Sequence, residues 1–349
     1  MAVNTKRVFY VRQVAHKSFF DVLSARPDVR LDKLENDSPE QAVAPILADA
    51  HVYQIGAARD ELNPKLYADA ALLARTPNLL VVSSTGAGYD TVNVDACTKA
   101  GVVVVNQSGG NAESVAQHAL AMLLTLTKRI IQTDRYMRRE SGIERGAFIG
   151  MEALGKTIGI IGIGNVGTRL AAMCRGVFNM RVLAYDPYLT ADQIKERGAE
   201  KLELEELLGN ADYVSINCPL TDTSRGLMGA AQFALMQPHA YFITTARGFI
   251  HDEDALLEAL RSKRIAGAGL DVWTKEPPPH DHPLLQLDNV LASPHTAGVT
   301  KEARMNMGRI AAEQILTALD GKRPPRIVNP EAWPAYAQRF EKTFGFGPG

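Results

Sequence analysis

The sequence predicts an α/β protein built on doubly wound parallel sheets, with enough chain for about two domains at ~150 residues each. Three observations predict this. Short apolar runs alternate with helical segments along most of the chain. The runs are continuously apolar, as strands covered on both faces by helices are. The alternation restarts at Thr157 with a glycine-rich turn. Of the 349 residues, 46% are hydrophobic and 22% charged, which excludes low-complexity disorder. Lys and Arg number 38 against 39 Asp and Glu, so composition gives no basis for a nucleic-acid or anionic-membrane partner.

In the first third, strands are expected at 8–12, 51–55, 79–84 and 102–106. Helical stretches fall at 38–50, with Ser38 as N-cap and Pro39 in the first turn, and at 63–74. One long helix is expected from Asn111 to Arg139. Ala116, Leu120, Leu123, Leu124, Thr127 and Ile131 recur at its helical spacing. Its basic end (Lys128, Arg129, Arg135, Arg138, Arg139) reads as a solvated face or subunit contact. After Thr157 come six further strands: TIGIIGI, RVLAY, DYVSIN, YFITTA, IAGAGLDV and VLASP. A last helix runs from Lys301 to Asp320, stopped by Gly321 and the Pro324-Pro325 pair. The tail beyond Asn329 is rich in Pro, Gly and aromatics. It is expected on the surface or against a partner subunit.

Cys97, Cys174 and Cys218 show no metal spacing and fit a reducing compartment. No secretory apolar core opens the chain, and no window holds the ~18 apolar residues of a membrane helix. The expected setting is the cytoplasm.

Gly162-Ile163-Gly164-Asn165-Val166-Gly167 fits GxGxxG between a strand and a helix. Gly162 permits the turn, Gly164 lets backbone approach a pyrophosphate, and Gly167 lets helix and strand pack closely. Asp186 ends the next strand about 20 residues beyond Gly167, where a carboxylate meets ribose hydroxyls and repels a 2′-phosphate. NAD is therefore favoured over NADP. FAD shares the fingerprint, but in FAD proteins it usually lies near the N-terminus.

Hydride exchange with a hydroxy acid needs a cation for the carboxylate and carbonyl, an acid/base, and a group that tunes it. Arg247, His295 and Glu276 follow three successive strands, at the carboxyl ends where open α/β sheets bind ligands. Arginine binds a carboxylate bidentately, and a paired Glu raises and orients a histidine.

At these residues the chain resembles the D-2-hydroxyacid dehydrogenases. The matching stretches are AESVAQHALAML, GKTIGIIGIGNVGTRLA, CPLTDTSRGLM, TARG, GAGLDVWTKEPPPHDHPL and SPHTAG, in family order. The resemblance extends to about Pro330. It implies a Rossmann NAD-binding domain at 111–304 and a discontinuous, flavodoxin-like substrate domain at 1–110 plus 305–349. A cleft between the two is expected to close on substrate. It implies Arg247 as carboxylate and carbonyl ligand, His295 as acid/base and Glu276 as its partner. Cofactor contacts are implied at Gly162, Gly164, Asn165, Val166, Gly167, Asp186, Cys218, Pro219, Thr245, Ala246, Arg247, Asp271, His295 and Ala297. The loop Ser84–Asp90 resembles the family's substrate loop, with Gly86, Ala87 and Gly88 offering backbone N–H groups to the carboxylate, alongside Arg247 and His295. A homodimer built on 111–150 is implied as well.

Asn93 and Gln117 depart from the usual Asp and Glu, at positions that look peripheral. The tail does not resemble a regulatory domain, which argues against serine feedback through one. His280 and His282 form an HxH without a third ligand, so no metal is expected. His118 reads as structural, Cys218 as a pocket wall, and Trp273 as packing or cleft lining. The closest alternative substrate is a 3-phosphoglycerate, with Arg59 or the 135–139 arginines on its phosphate. Formate dehydrogenase is disfavoured by Glu276. A corepressor of the C-terminal binding protein type, sensing NAD(H), lacks any visible peptide-docking motif.

Overall fold

The computed structural model describes residues 5–142 and 144–349. Residues 1–4 of the N-terminal stretch and Ile143 of the 111–150 segment lie outside them. The chain divides into two compact units, Met1–Asn111 with Thr300–Gly349, and Ala112–Val299.

The first unit is a parallel sheet of β1 (Lys6–Val11), β2 (Val29–Leu34), β3 (Val52–Ile55), β4 (Val81–Ser84) and β5 (Val103–Val105), in the order β2-β1-β3-β4-β5. That is the flavodoxin-like order. Strand alternation sends neighbouring residues to opposite faces. Val8, Val52, Val81 and Val103 meet Phe19, Leu23, Ile315 and Leu319 on one face. Phe9, Tyr53, Val82 and Val104 meet Val43, Leu47, Leu72 and Cys97 on the other.

The second unit orders its described strands β12-β11-β10-β9-β6-β7-β8, all parallel. They are β6 (Thr157–Ile161), β7 (Arg181–Tyr185), β8 (Glu200–Lys201), β9 (Tyr213–Ile216), β10 (Tyr241–Thr244), β11 (Gly267–Leu270) and β12 (Val290–Ala292). This is the doubly wound Rossmann order extended by one strand, and it reverses between β6 and β9. Ile158, Ile160, Val182 and Tyr213 pack on Ala119, Leu123 and Leu170. Val214, Ile216, Phe242 and Leu270 pack on Leu207, Phe233 and Leu256.

Four expectations need correction. The 111–139 helix is two helices, Ala112–Thr127 and Ile130–Arg139, broken at Arg129 with φ +55°. Pro39 and not Ser38 caps Glu40–Asp49; the Ser38 hydroxyl instead accepts the Glu35 N–H. The 63–74 stretch is a single 3₁₀ turn, Pro64–Leu66, capped by Asn63, then a helix Ala70–Ala74 capped by Asp69. The tail is a core element: the helix Trp333–Phe344 buries Tyr336, Phe340 and Phe344 against the first unit's sheet. No described helix is long and apolar enough to cross a membrane.

Candidate active site

Strand β6 delivers Gly162 in a left-handed turn at φ +86°. A Cβ there would lie 2.6 Å from the Cys218 nitrogen, so the turn seats directly on the residues after β9. Gly167 is equally closed, since its Cβ would meet the Gly162 carbonyl oxygen at 2.4 Å. Gly164 is different, because nothing stands within 4 Å of a Cβ built on it. It opens the helix Asn165–Phe178 without any side-chain cap. The loop therefore leaves open space beside Gly164 and, among the described residues, helical N–H groups without a side-chain cap, which fit a pyrophosphate.

Asp186 braces the same loop. Its Oδ2 accepts the Ile163 N–H at 3.2 Å and its Oδ1 the Tyr188 N–H at 3.1 Å. Beyond β9 and β10, Asn217 Oδ1 and Thr245 Oγ1 are buried with no hydrogen-bond partner among the described residues, groups that a bound polar ligand would satisfy. Cys218 and Pro219 follow β9, and Thr245, Ala246 and Arg247 follow β10. Burial pushes the Cys218 thiol up to about 11, so it is no nucleophile near neutrality.

His295 Nδ1 lies 2.7 Å from Glu276 Oε2, and Glu276 Oε1 accepts the Trp273 N–H at 3.0 Å. Burial opposes charge on His295, but the Glu276 hydrogen bond and charge outweigh it and the repulsion of Arg247, so its pKa is raised. Burial likewise favours a neutral Glu276; His295, the Trp273 N–H and Arg247 together reverse this and lower it. Arg247 thus acts electrostatically on both. Gly248 lets its turn close, since a Cβ there would meet the Trp273 carbonyl carbon at 2.1 Å.

Asp271 is fully enclosed. Its carboxylate accepts Ser293 Oγ–H at 2.6 Å, Thr296 N–H at 2.8 Å and Ala297 N–H at 2.9 Å. It therefore braces the loop that carries His295. Trp273 is buried and donates its indole N–H to the Ser293 carbonyl, so it is packing and not cleft lining. His282 caps Pro283–Gln286 and sits 3.3 Å from Glu253, whose other oxygen accepts the Thr274 N–H.

In the first unit, the Gly86 N–H is taken by Gln107 Oε1 at 2.7 Å. Gly86, at φ +81°, thus spends its N–H on shaping its loop in this structure. Ser84 and Asn106 hold the Gly88 and Ala87 carbonyls, while among the described residues no hydrogen bond is made by the Ala87 and Gly88 N–H groups. Gln107, Ser114, Gly248 and Ser293 were not anticipated from sequence. The spacing of Ser114 and His118 was the single available signal among them.

The model for "D-isomer specific 2-hydroxyacid dehydrogenase, NAD binding domain" matches residues 120–297. The chain is 40% identical over 261 residues to D-3-phosphoglycerate dehydrogenase of Archaeoglobus fulgidus, covering 75% of this chain and 49% of that protein. It is 38% identical over 266 residues to glyoxylate reductase of Korarchaeum cryptofilum, covering 75% and 80%. The chain thus spans about half the length of the phosphoglycerate dehydrogenases it matches. D-lactate dehydrogenase from Aquifex aeolicus, solved with NAD and lactic acid, superposes with a TM-score of 0.79 at 25% identity, covering 92% of this chain and 98% of that one. This chain belongs to the D-isomer specific 2-hydroxyacid dehydrogenases, a family of NAD-dependent oxidoreductases.

Proposed function

We propose that the chain interconverts a D-2-hydroxy acid and its 2-oxo acid, with His295 as acid/base, Glu276 as its partner and Arg247 on the carboxylate and carbonyl. The observation that carries the reading is the His295–Glu276 pair beside Arg247. NAD is the cofactor that supplies or accepts the hydride. It would be held by the Gly162–Gly167 loop, Asn165, Val166 and Asp186, and by Cys218, Pro219, Thr245 and Ala246. Because Nδ1 faces Glu276, His295 presents Nε2 to the substrate oxygen. In the reducing direction Nε2 gives its proton to that oxygen, and Arg247 offsets the charge developing there. Glu276 stabilises the imidazolium before transfer and fixes the ring afterwards. Asp271 and Ala297 support the His295 loop. Ala87 and Gly88 are read as carboxylate donors, with Gly86 shaping their loop.

The same reading places the enzyme in the cytoplasm as a homodimer. The helix Ile130–Arg139 buries none of its described residues, and Met137, Ile149 and Leu154 are 70%, 79% and 64% exposed, which supports a partner on that arm. A phosphorylated substrate is a second reading. It is favoured by Arg59, whose Nε bonds the Asp90 carbonyl at the end of the 84–90 loop. NADH oxidation over glyoxylate, hydroxypyruvate, pyruvate, bulkier 2-oxo acids and 3-phosphohydroxypyruvate separates these readings. Turnover of none, with NADH still bound, would overturn both.

A further inference from the structure

His295 sits at φ +55°, in the left-handed region that a non-glycine residue avoids unless its surroundings impose it. The loop that carries it is held by a distant element. Ser114 and His118 stand one turn apart on the helix Ala112–Thr127 and so share a face. Ser114 Oγ donates to the Ala297 carbonyl at 2.6 Å. His118 Nε2 lies 3.0 Å from Ser293 Oγ. The single Ser293 hydroxyl hydrogen points to Asp271 Oδ1, 2.6 Å away, so the hydrogen between His118 and Ser293 must come from His118 Nε2. The helix therefore grips 293–297 at both ends. Asp271 grips the middle, its carbonyl accepting the His295 N–H at 2.6 Å.

We propose that Ser114 and His118 are positioning residues for His295, a two-point clamp that holds its ring in register with Glu276. Neither needs to touch substrate or cofactor. The inference rests on His295 being the proton donor.

The variants are Ser114→Ala, His118→Ala, the double variant, and His118→Gln, whose amide N–H keeps a donor near Ser293. Assayed on whichever 2-oxo acid the wild type reduces, each single Ala variant should lose about tenfold in kcat and the double about a hundredfold. The NADH Kd, read by fluorescence, should hold within about twofold, and His118→Gln should recover most of kcat. An unchanged kcat in the double variant overturns the clamp. So does a kcat loss matched by lost NADH affinity and not rescued by Gln. If His118→Ala fails to fold, His118→Met fills the space without a donor. If the wild type reduces no 2-oxo acid, the functional reading fails but the clamp is still tested. NMR titration of the His295 imidazole should then show a lower midpoint in the double variant, and an unmoved midpoint overturns the clamp.

Discussion

The imidazole of His295 and the carboxylate of Glu276 meet at 2.7 Å, with the second carboxylate oxygen pinned by the Trp273 N–H. The pair is therefore fixed in one orientation, which leaves His295 Nε2 as the nitrogen turned away from Glu276, the one assigned the proton transfer in the proposed function. Its raised pKa keeps His295 charged to higher pH than an ordinary histidine.

That direction sets a pH prediction. Reduction needs protonated His295, so wild-type kcat/KM falls as pH rises through the raised value. In Glu276→Gln the raising partner is gone, and the same limb should move to lower pH with kcat reduced at least about tenfold. A limb that stays in place in the variant contradicts the role given to Glu276.

Asp186 should set the preference for NADH. On the proposed cofactor role, Asp186→Ala removes a carboxylate that would accept from the ribose hydroxyls and repel a 2′-phosphate. The KM for NADH should rise about tenfold or more while that for NADPH improves, narrowing the gap between them. Steady-state kinetics with both cofactors reads this, and an unchanged ratio would show that Asp186 only braces the loop through Ile163 and Tyr188.

Gly248→Ala should destabilise the second unit near the site. The added methyl would overlap the Trp273 carbonyl at 2.1 Å, far inside van der Waals contact, so the turn behind Arg247 must shift, at about 1–3 kcal/mol for overpacking. Chemical denaturation should show the loss, together with reduced kcat, while a variant of wild-type stability would mean the turn is slack.

Acid should destabilise the protein through His251 and His51. Burial lowers His251 to about 4, and burial with the Arg7 charge does the same for His51. His251 is 3% exposed, and neither ring nitrogen has a hydrogen-bond partner among the described residues. Well above about pH 6.5 both are neutral folded or unfolded, and they cost nothing. Between there and pH 4 the unfolded chain binds the protons first, so stability falls as pH falls, by up to about 3 kcal/mol for His251. His251→Phe should flatten this dependence in denaturant titrations. An equally steep curve in that variant would place the sensitivity elsewhere.

The apolar runs and the glycine turn made most of the strands readable, because buried parallel strands carry their signal in every residue. β2 escaped because VRLDKL alternates with charge at a sheet edge, and β8 because two residues carry no pattern. The break at Arg129 was invisible, since apolar spacing continues through it. The tail helix was hidden by its Pro and Gly content, although Tyr336, Phe340 and Phe344 follow one face. At the candidate site, Arg247, Glu276 and His295 could each be nominated by residue type and place after a strand, and the structure brings His295 against Glu276. The clamp of Ser114 and His118, and the engagement of the Gly86 N–H by Gln107, depend on contacts between segments far apart in sequence, which no local pattern encodes.

The most direct test compares wild type and His295→Asn for NADH oxidation with glyoxylate and hydroxypyruvate, alongside NADH affinity. The wild type should oxidise NADH with at least one of them. The variant should lose about a hundredfold or more in kcat with NADH affinity kept. Equal turnover in the two proteins would contradict His295 as the proton donor and, with it, the proposed chemistry.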